Sequence, residues 1–72
     1  MNAVEFALRG DHITLDALLK ATGLAPSGGS AKGLIAAGEV FVDGQAETRR
    51  GRKLRAGQVV AVGSQRIQVV RP

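Results

Sequence analysis

The sequence predicts a small α+β domain, with two antiparallel helices packed on one side of a small, mainly antiparallel sheet. Three observations predict it. Apolar residues recur at helical spacing only in the stretch from Thr14 to Ala37, and on either side of it the period falls to two. Structure-breaking pairs, Gly10-Asp11, Asp43-Gly44, Ala56-Gly57 and Gly63-Ser64, separate these segments. No internal repeat or long linker divides the chain, so residues 1–72 read as one domain, near the lower size at which a core can be buried unaided.

Each element has its own signal. Ala3 to Leu8 alternates, with Val4, Phe6 and Leu8 on one face, and reads as a strand ended by Gly10-Asp11. Thr14 opens a helix: its hydroxyl is expected to accept from the free N–H groups of the first turn, and Asp16 sits where the helix dipole favours an acid. Ile13 and Leu18 are placed to form a hydrophobic staple. Leu15, Leu18, Leu19 and Thr22 share a face, and Gly23 supplies the left-handed cap. Ser27 caps a second helix with Ala31, Leu34 and Ile35 as its buried stripe and Gly38 as its end. Gly28, Gly29 and Gly33 weaken that helix by roughly 1 kcal/mol each. They imply either close packing or room for a backbone or phosphate to approach. Beyond Gly38, Val40 and Val42 alternate with Glu39, Phe41 and Asp43. Asp43-Gly44 is a hairpin turn, with Gln45 to Thr48 as the return segment. Gln58 to Val62 and Arg66 to Val70 form a second hairpin around Gly63-Ser64.

Composition narrows the function. There are no cysteines, so neither a disulfide nor a thiolate metal site contributes. The formal net charge is +4 and the pI about 10.8, both pointing to nucleic acid or another anionic surface. No apolar run approaches the ~20 residues of a membrane helix. The N-terminus carries Glu5 and lacks the layout of a signal peptide, so a cytoplasmic monomer is expected. Catalysis finds no footing. His12 stands alone beside Asp11, the six acids are scattered, and no set of residues has metal-ligand spacing. Ser27-Gly28-Gly29-Ser30 lacks the Gly-Lys-Ser/Thr ending of a P-loop. No catalytic residue, metal, cofactor or small-molecule substrate is expected.

The positive charge is concentrated instead. Arg49, Arg50, Arg52, Lys53 and Arg55 are five of the ten Lys and Arg residues, and no acid interrupts them. Such a run repels itself, which a small domain sustains chiefly when its partner is a polyanion. Between two strands it forms a fixed patch rather than a tail. The N–H groups near Ser27, with Lys32 in the first two turns of the same helix, are placed either to hold a phosphate or simply to be capped by Ser27 while the lysine faces solvent. Phe6 and Phe41 are the only aromatics, and each is expected to be used in strand packing. Stacked single-stranded bases are therefore not expected, and folded or double-stranded RNA would be read by backbone and shape. A protein-interaction module docking to an acidic protein is the alternative. An activated carrier is not expected, since the sequence closes on Val69-Val70-Arg71-Pro72 rather than on the Gly-Gly reacting group.

The segment from Thr14 to Gly57 resembles a known family. Its ordered residues are Leu15-Asp16-Ala17-Leu18-Leu19, Gly23-Leu24-Ala25, Ser27, Ala31-Lys32, Leu34-Ile35, Ala37-Gly38-Glu39-Val40-Phe41-Val42-Asp43-Gly44 and Ala56-Gly57-Gln58-Val59-Val60. Together they are similar to the RNA-binding domain named after the fourth protein of the small ribosomal subunit, the S-four domain, in its short stand-alone bacterial form. The basic run after Glu47-Thr48-Arg49 belongs to the same likeness. The resemblance implies a helix–helix–hairpin (alpha-L) motif that contacts structured RNA, ribosomal or transfer RNA. It implies contacts from Ser27 and Lys32 on helix two, and from Arg49, Arg50, Arg52, Lys53 and Arg55 in the loop. Two departures shift the expected surface toward the loop: Thr14 precedes Leu15-Asp16 where many members have arginine, and Gly28 follows Ser27 where many have arginine.

Overall fold

The computed structural model describes residues 2–72. The first strand, β1 (Asn2–Ala7), leads through residues 8–12 to a two-residue strand, β2 (Ile13–Thr14), and directly into helix α1 (Leu15–Ala21). Leu15, Leu18 and Leu19 are fully buried. Seven residues make a helix too short to stand alone in water. Burying three leucines, at about 2 kcal/mol each, is what holds it. Gly23, at φ 79°, takes the left-handed position that ends it.

The start of α1 differs from the sequence expectation. Thr14 occupies the N-cap position, but its side chain makes no capping hydrogen bond. The first-turn donors are satisfied by the loop that follows the first hairpin: Leu15 N–H donates to the Arg52 carbonyl (2.9 Å) and Asp16 N–H to the Arg50 carbonyl (3.1 Å). Thr14 is itself paired in a strand with Lys53, and that pairing brings those carbonyls to the helix end.

Helix α2 (Gly28–Ala36) begins as expected, with the Ser27 hydroxyl accepting from Ser30 N–H at 3.2 Å. Ala31 and Ile35 are buried and Leu34 is half-buried. Gly29 and Gly33 are not there for close packing. A Cβ on Gly33 would meet nothing within 4 Å, and one on Gly29 only the Ser27 Oγ at 3.9 Å. These positions leave open backbone on the exposed side.

The remaining strands are β3 (Val40–Val42), β4 (Gln45–Ala46), β5 (Lys53–Leu54), β6 (Val59–Val62) and β7 (Gln65–Val70). Among the described residues they form a five-stranded sheet, β1-β7-β6-β3-β4, and a two-stranded ladder, β2-β5. The pairings are antiparallel except that of β1 with β7, which is parallel. Val42, Val60 and Ile67 are cross-strand neighbours on the covered face, and all three are buried. With the α1 leucines, Ala31 and Ile35 they form one core.

Asp43 (φ 51°) and Gly44 (φ 84°) both have positive φ, the signature of the type I′ turn that suits the twist of a hairpin. The return segment is shorter than expected, pairing as β4 only over Gln45–Ala46, with one more bond from Glu47 N–H to the Val40 carbonyl. Phe41 corrects another expectation. It lies on the uncovered face in register with Ala46 and Ala61, and is 41% exposed rather than used in packing. Phe6 does pack, half-buried, against the core. Among the described residues, no helix is long and apolar enough to cross a membrane.

Candidate nucleic-acid interface

The basic segment is a built structure, because three attachments fix it. Its last residues enter the two-stranded ladder, where Leu54 pairs with Ile13 and Lys53 with Thr14. Leu54 is completely buried, an apolar anchor set between two exposed cations, Lys53 and Arg55. Burying a leucine stabilises by about 2 kcal/mol, enough to hold so short a strand in place. Its middle is tied to α1 through the two carbonyl bonds already described. Here the partial positive charge of a helix N-terminus meets carbonyl oxygens, which leaves the arginine side chains free to point elsewhere.

The third attachment is Glu47. This acid is only 6% exposed, and its carboxylate gathers the loop around it. Arg52 Nη1 donates to Oε1 at 2.8 Å, and Arg49 donates its backbone N–H (3.1 Å) and Nε (3.3 Å) to Oε2. Charge-assisted bonds of this kind are stronger than neutral ones. They hold the Glu47 carboxyl well below the usual range, at about 2, with the Arg52 guanidinium first and Arg49 next. Arg52 is the more enclosed of the two, with 32% of its side chain exposed against 77% for Arg49. The ion pairs among the described residues all fall on Glu47.

A second carboxylate steadies the far end. Asp43 accepts from Val59 N–H (3.0 Å) and Gln58 Nε2 (3.2 Å), and these bonds, in that order, lower its own pKa. Gln58 in turn accepts from Arg55 N–H at 2.9 Å. The turn of the first hairpin is thereby linked to the end of the basic segment.

The expected site residues separate into three groups. Arg49, Arg52 and Lys53 line one shallow concavity with Gly51. Arg50 is exposed on the same segment, its carbonyl on α1. Arg55 instead lines a different cleft, with Arg71. Ser27 and Lys32, both exposed, form the third group. The Ser27 hydroxyl is occupied by Ser30, accepting from its N–H and donating to its Oγ at 3.2 Å. The connection between the helices is short, residues 22–27, which sets the start of α2 beside the end of α1. The basic segment is bonded to the start of α1, so a helix length of about 10 Å lies between the groups. A ligand touching both must be extended, as a nucleic-acid backbone is.

Glu47, Arg71 and the loop carbonyls escaped sequence reasoning. Only Glu47 left a signal, an acid two and five residues before arginines at the head of the basic run. His12 is exposed, and among the described residues no three His, Cys, Asp or Glu side chains cluster as metal ligands would.

Comparison with known proteins agrees with the fold. The profile of the family described as S4 domain matches residues 6–70. The Escherichia coli K12 protein named "Putative RNA-binding protein YbcJ" is 48% identical over 59 residues, covering 82% of this chain and 84% of that one. The Bacillus subtilis protein named "Probable ribosome maturation protein RlbA" is 44% identical over 52 residues, 72% of this chain and 73% of its own. The solution structure of the E. coli YbcJ, described as revealing an αL motif involved in RNA-binding, superposes with a TM-score of 0.69. It has 41% identity and covers 97% of this chain and 87% of that one.

Proposed function

The chain belongs to the S4 domain family, and from that premise we propose that it is a non-catalytic module that binds structured RNA. Arg49, Arg50, Arg52, Lys53 and Arg55 carry the main contacts, and Ser27 and Lys32 at the start of α2 add a second set. The observation that carries this reading is the fixed basic segment. Five cations on a flexible tail would each lose conformational freedom on binding. Here a buried leucine, two backbone bonds and a carboxylate have already ordered the segment.

Ribosomal RNA is favoured over transfer RNA because the B. subtilis relative is named for ribosome maturation. The module acts as a cytoplasmic monomer, without metal, cofactor or small-molecule substrate. Its contacts are to phosphate and shape, since the segment is cationic and carries no aromatic side chain.

Fluorescence anisotropy with a folded ribosomal RNA fragment across a salt series tests this. Five phosphate contacts give a log–log slope of about −4, and R50Q/K53Q, which spares the arginines on Glu47, should make it shallower by about 2. Binding that is equally weak to RNA, duplex DNA and an acidic protein would overturn the reading. Preference for the acidic protein would replace it with the docking alternative.

A further inference from the structure

The cleft that holds Arg55 has a composition of its own. It is a solvent-open hollow of about 620 Å³, formed where the segment after β1 meets the segment after β7. Its apolar lining comes from Leu8, which is buried, and Ala56, which is half-buried, with Pro72 beside them. Two arginines, Arg55 and Arg71, line it together with Asp11. None of these three charges is in an ion pair among the described residues.

Each component limits the ligand. Two arginines suit a phosphodiester, whose oxygens accept paired N–H donors. A carboxylate beside them repels a bare phosphate and asks for a hydrogen-bond donor, such as a ribose hydroxyl or a base amino group. The apolar lining offers contact to the flat face of a base. The volume lies in the range of small-ligand pockets. A paired nucleotide inside a helix does not present its base face, its sugar hydroxyl and its phosphate to one hollow at once. An unpaired one does.

We propose that this cleft, through Arg55, Arg71 and Asp11, binds a single unpaired ribonucleotide of the RNA that the basic segment grips. The inference rests on the RNA-binding reading above and adds to it a second kind of contact. Phosphates of the helical stem lie against Arg49, Arg50, Arg52 and Lys53, and one bulged or terminal nucleotide enters the cleft. The basic run is therefore divided between two tasks, with Arg55 in the second.

The test compares an RNA hairpin carrying one unpaired nucleotide with the same hairpin fully paired, by anisotropy at fixed salt. Wild-type protein should prefer the bulged hairpin by at least about fivefold, within the range found for single base contacts. Gly10 also lines the cleft, has no positive φ, and a Cβ there would meet nothing within 4 Å. G10L should therefore place an apolar obstruction at the cleft without removing charge, with circular dichroism confirming the fold. It should abolish the preference and leave the paired hairpin bound as before. R71Q should reduce the preference, and D11N should lessen discrimination between ribose and deoxyribose at the unpaired position. A wild-type protein that binds both hairpins equally, or a G10L variant that keeps the preference, overturns the cleft and leaves RNA binding standing. Failure to bind either hairpin overturns both.

Discussion

Replacing Glu47 with glutamine should weaken RNA binding even though it makes the protein more positive. The formal net charge of +4 would rise by one. Over a separation of about 10 Å in water, one added charge gains about 0.4 kcal/mol per phosphate, roughly twofold in affinity before screening. Against this stands the ordering of the arginines. Immobilising one long side chain on binding costs about 1 kcal/mol, or about fivefold. Arg52, with 32% of its side chain exposed and a 2.8 Å bond to Glu47, is already held. Arg49, 77% exposed, is held far less and adds little. The net expectation is affinity two- to threefold weaker, with an unchanged salt slope because the phosphate contacts are the same in number. Anisotropy titrations of wild type and E47Q at several salt concentrations measure both quantities, with circular dichroism confirming the fold. Equal or tighter binding by a folded E47Q would refute the argument that the acid positions the loop.

Acid should expose the same carboxylate by another route. Glu47 titrates at about 2 in the folded protein, below the unfolded value of about 4.3. Its stabilisation is therefore complete above about pH 4.3 and is lost as pH falls toward 2. Asp43 is shifted in the same direction. Denaturant melts between pH 5 and 2 should show a shallower loss for E47Q than for wild type, and parallel curves would contradict the assignment. L54A should cost about 3 kcal/mol in chemical denaturation, since Leu54 is fully buried. It should also increase amide exchange in residues 49–55 and at the start of α1, and a cost below about 1 kcal/mol would mean the ladder is not the anchor. S27A should lower stability by about 1 kcal/mol through the lost cap. An unchanged denaturation midpoint would show the cap to be idle.

What the sequence disclosed is what local chemistry decides. The Asp43-Gly44 turn, the Ser27 cap and the left-handed Gly23 each depend on a few neighbouring residues. The α1 leucines and the β3 valines were legible because period alone tells which residues share a face. Period does not say which face the helices cover, and Phe41 was misjudged for that reason. Its identity argued for burial, and its register with Ala61 put it on the open side. The Thr14 cap failed for a related reason. The residue type was right, but carbonyls of Arg50 and Arg52, about 35 positions along the chain, had taken the donors. The basic segment was visible as charge, whereas its fixing by Glu47, the α1 N-terminus and buried Leu54 depends on contacts that periodicity cannot register.

The parallel pairing of β1 with β7 bears on how the molecule comes into being. β1 is an edge strand whose one neighbour in the sheet is β7, so Val4 must find Ile67, and Phe6 must find Val69. Hairpins close quickly because their ends are near in sequence, whereas a contact spanning some sixty residues waits on a slow search. On a translating ribosome, β1 therefore stays without this partner until β7 has emerged. The β3–β4 and β6–β7 hairpins can zip first, and the first strand docks afterwards. The cleft between Asp11 and Arg71 exists only after that docking. A nascent chain would thus form the surface proposed to grip a stem before the cleft proposed to hold a nucleotide.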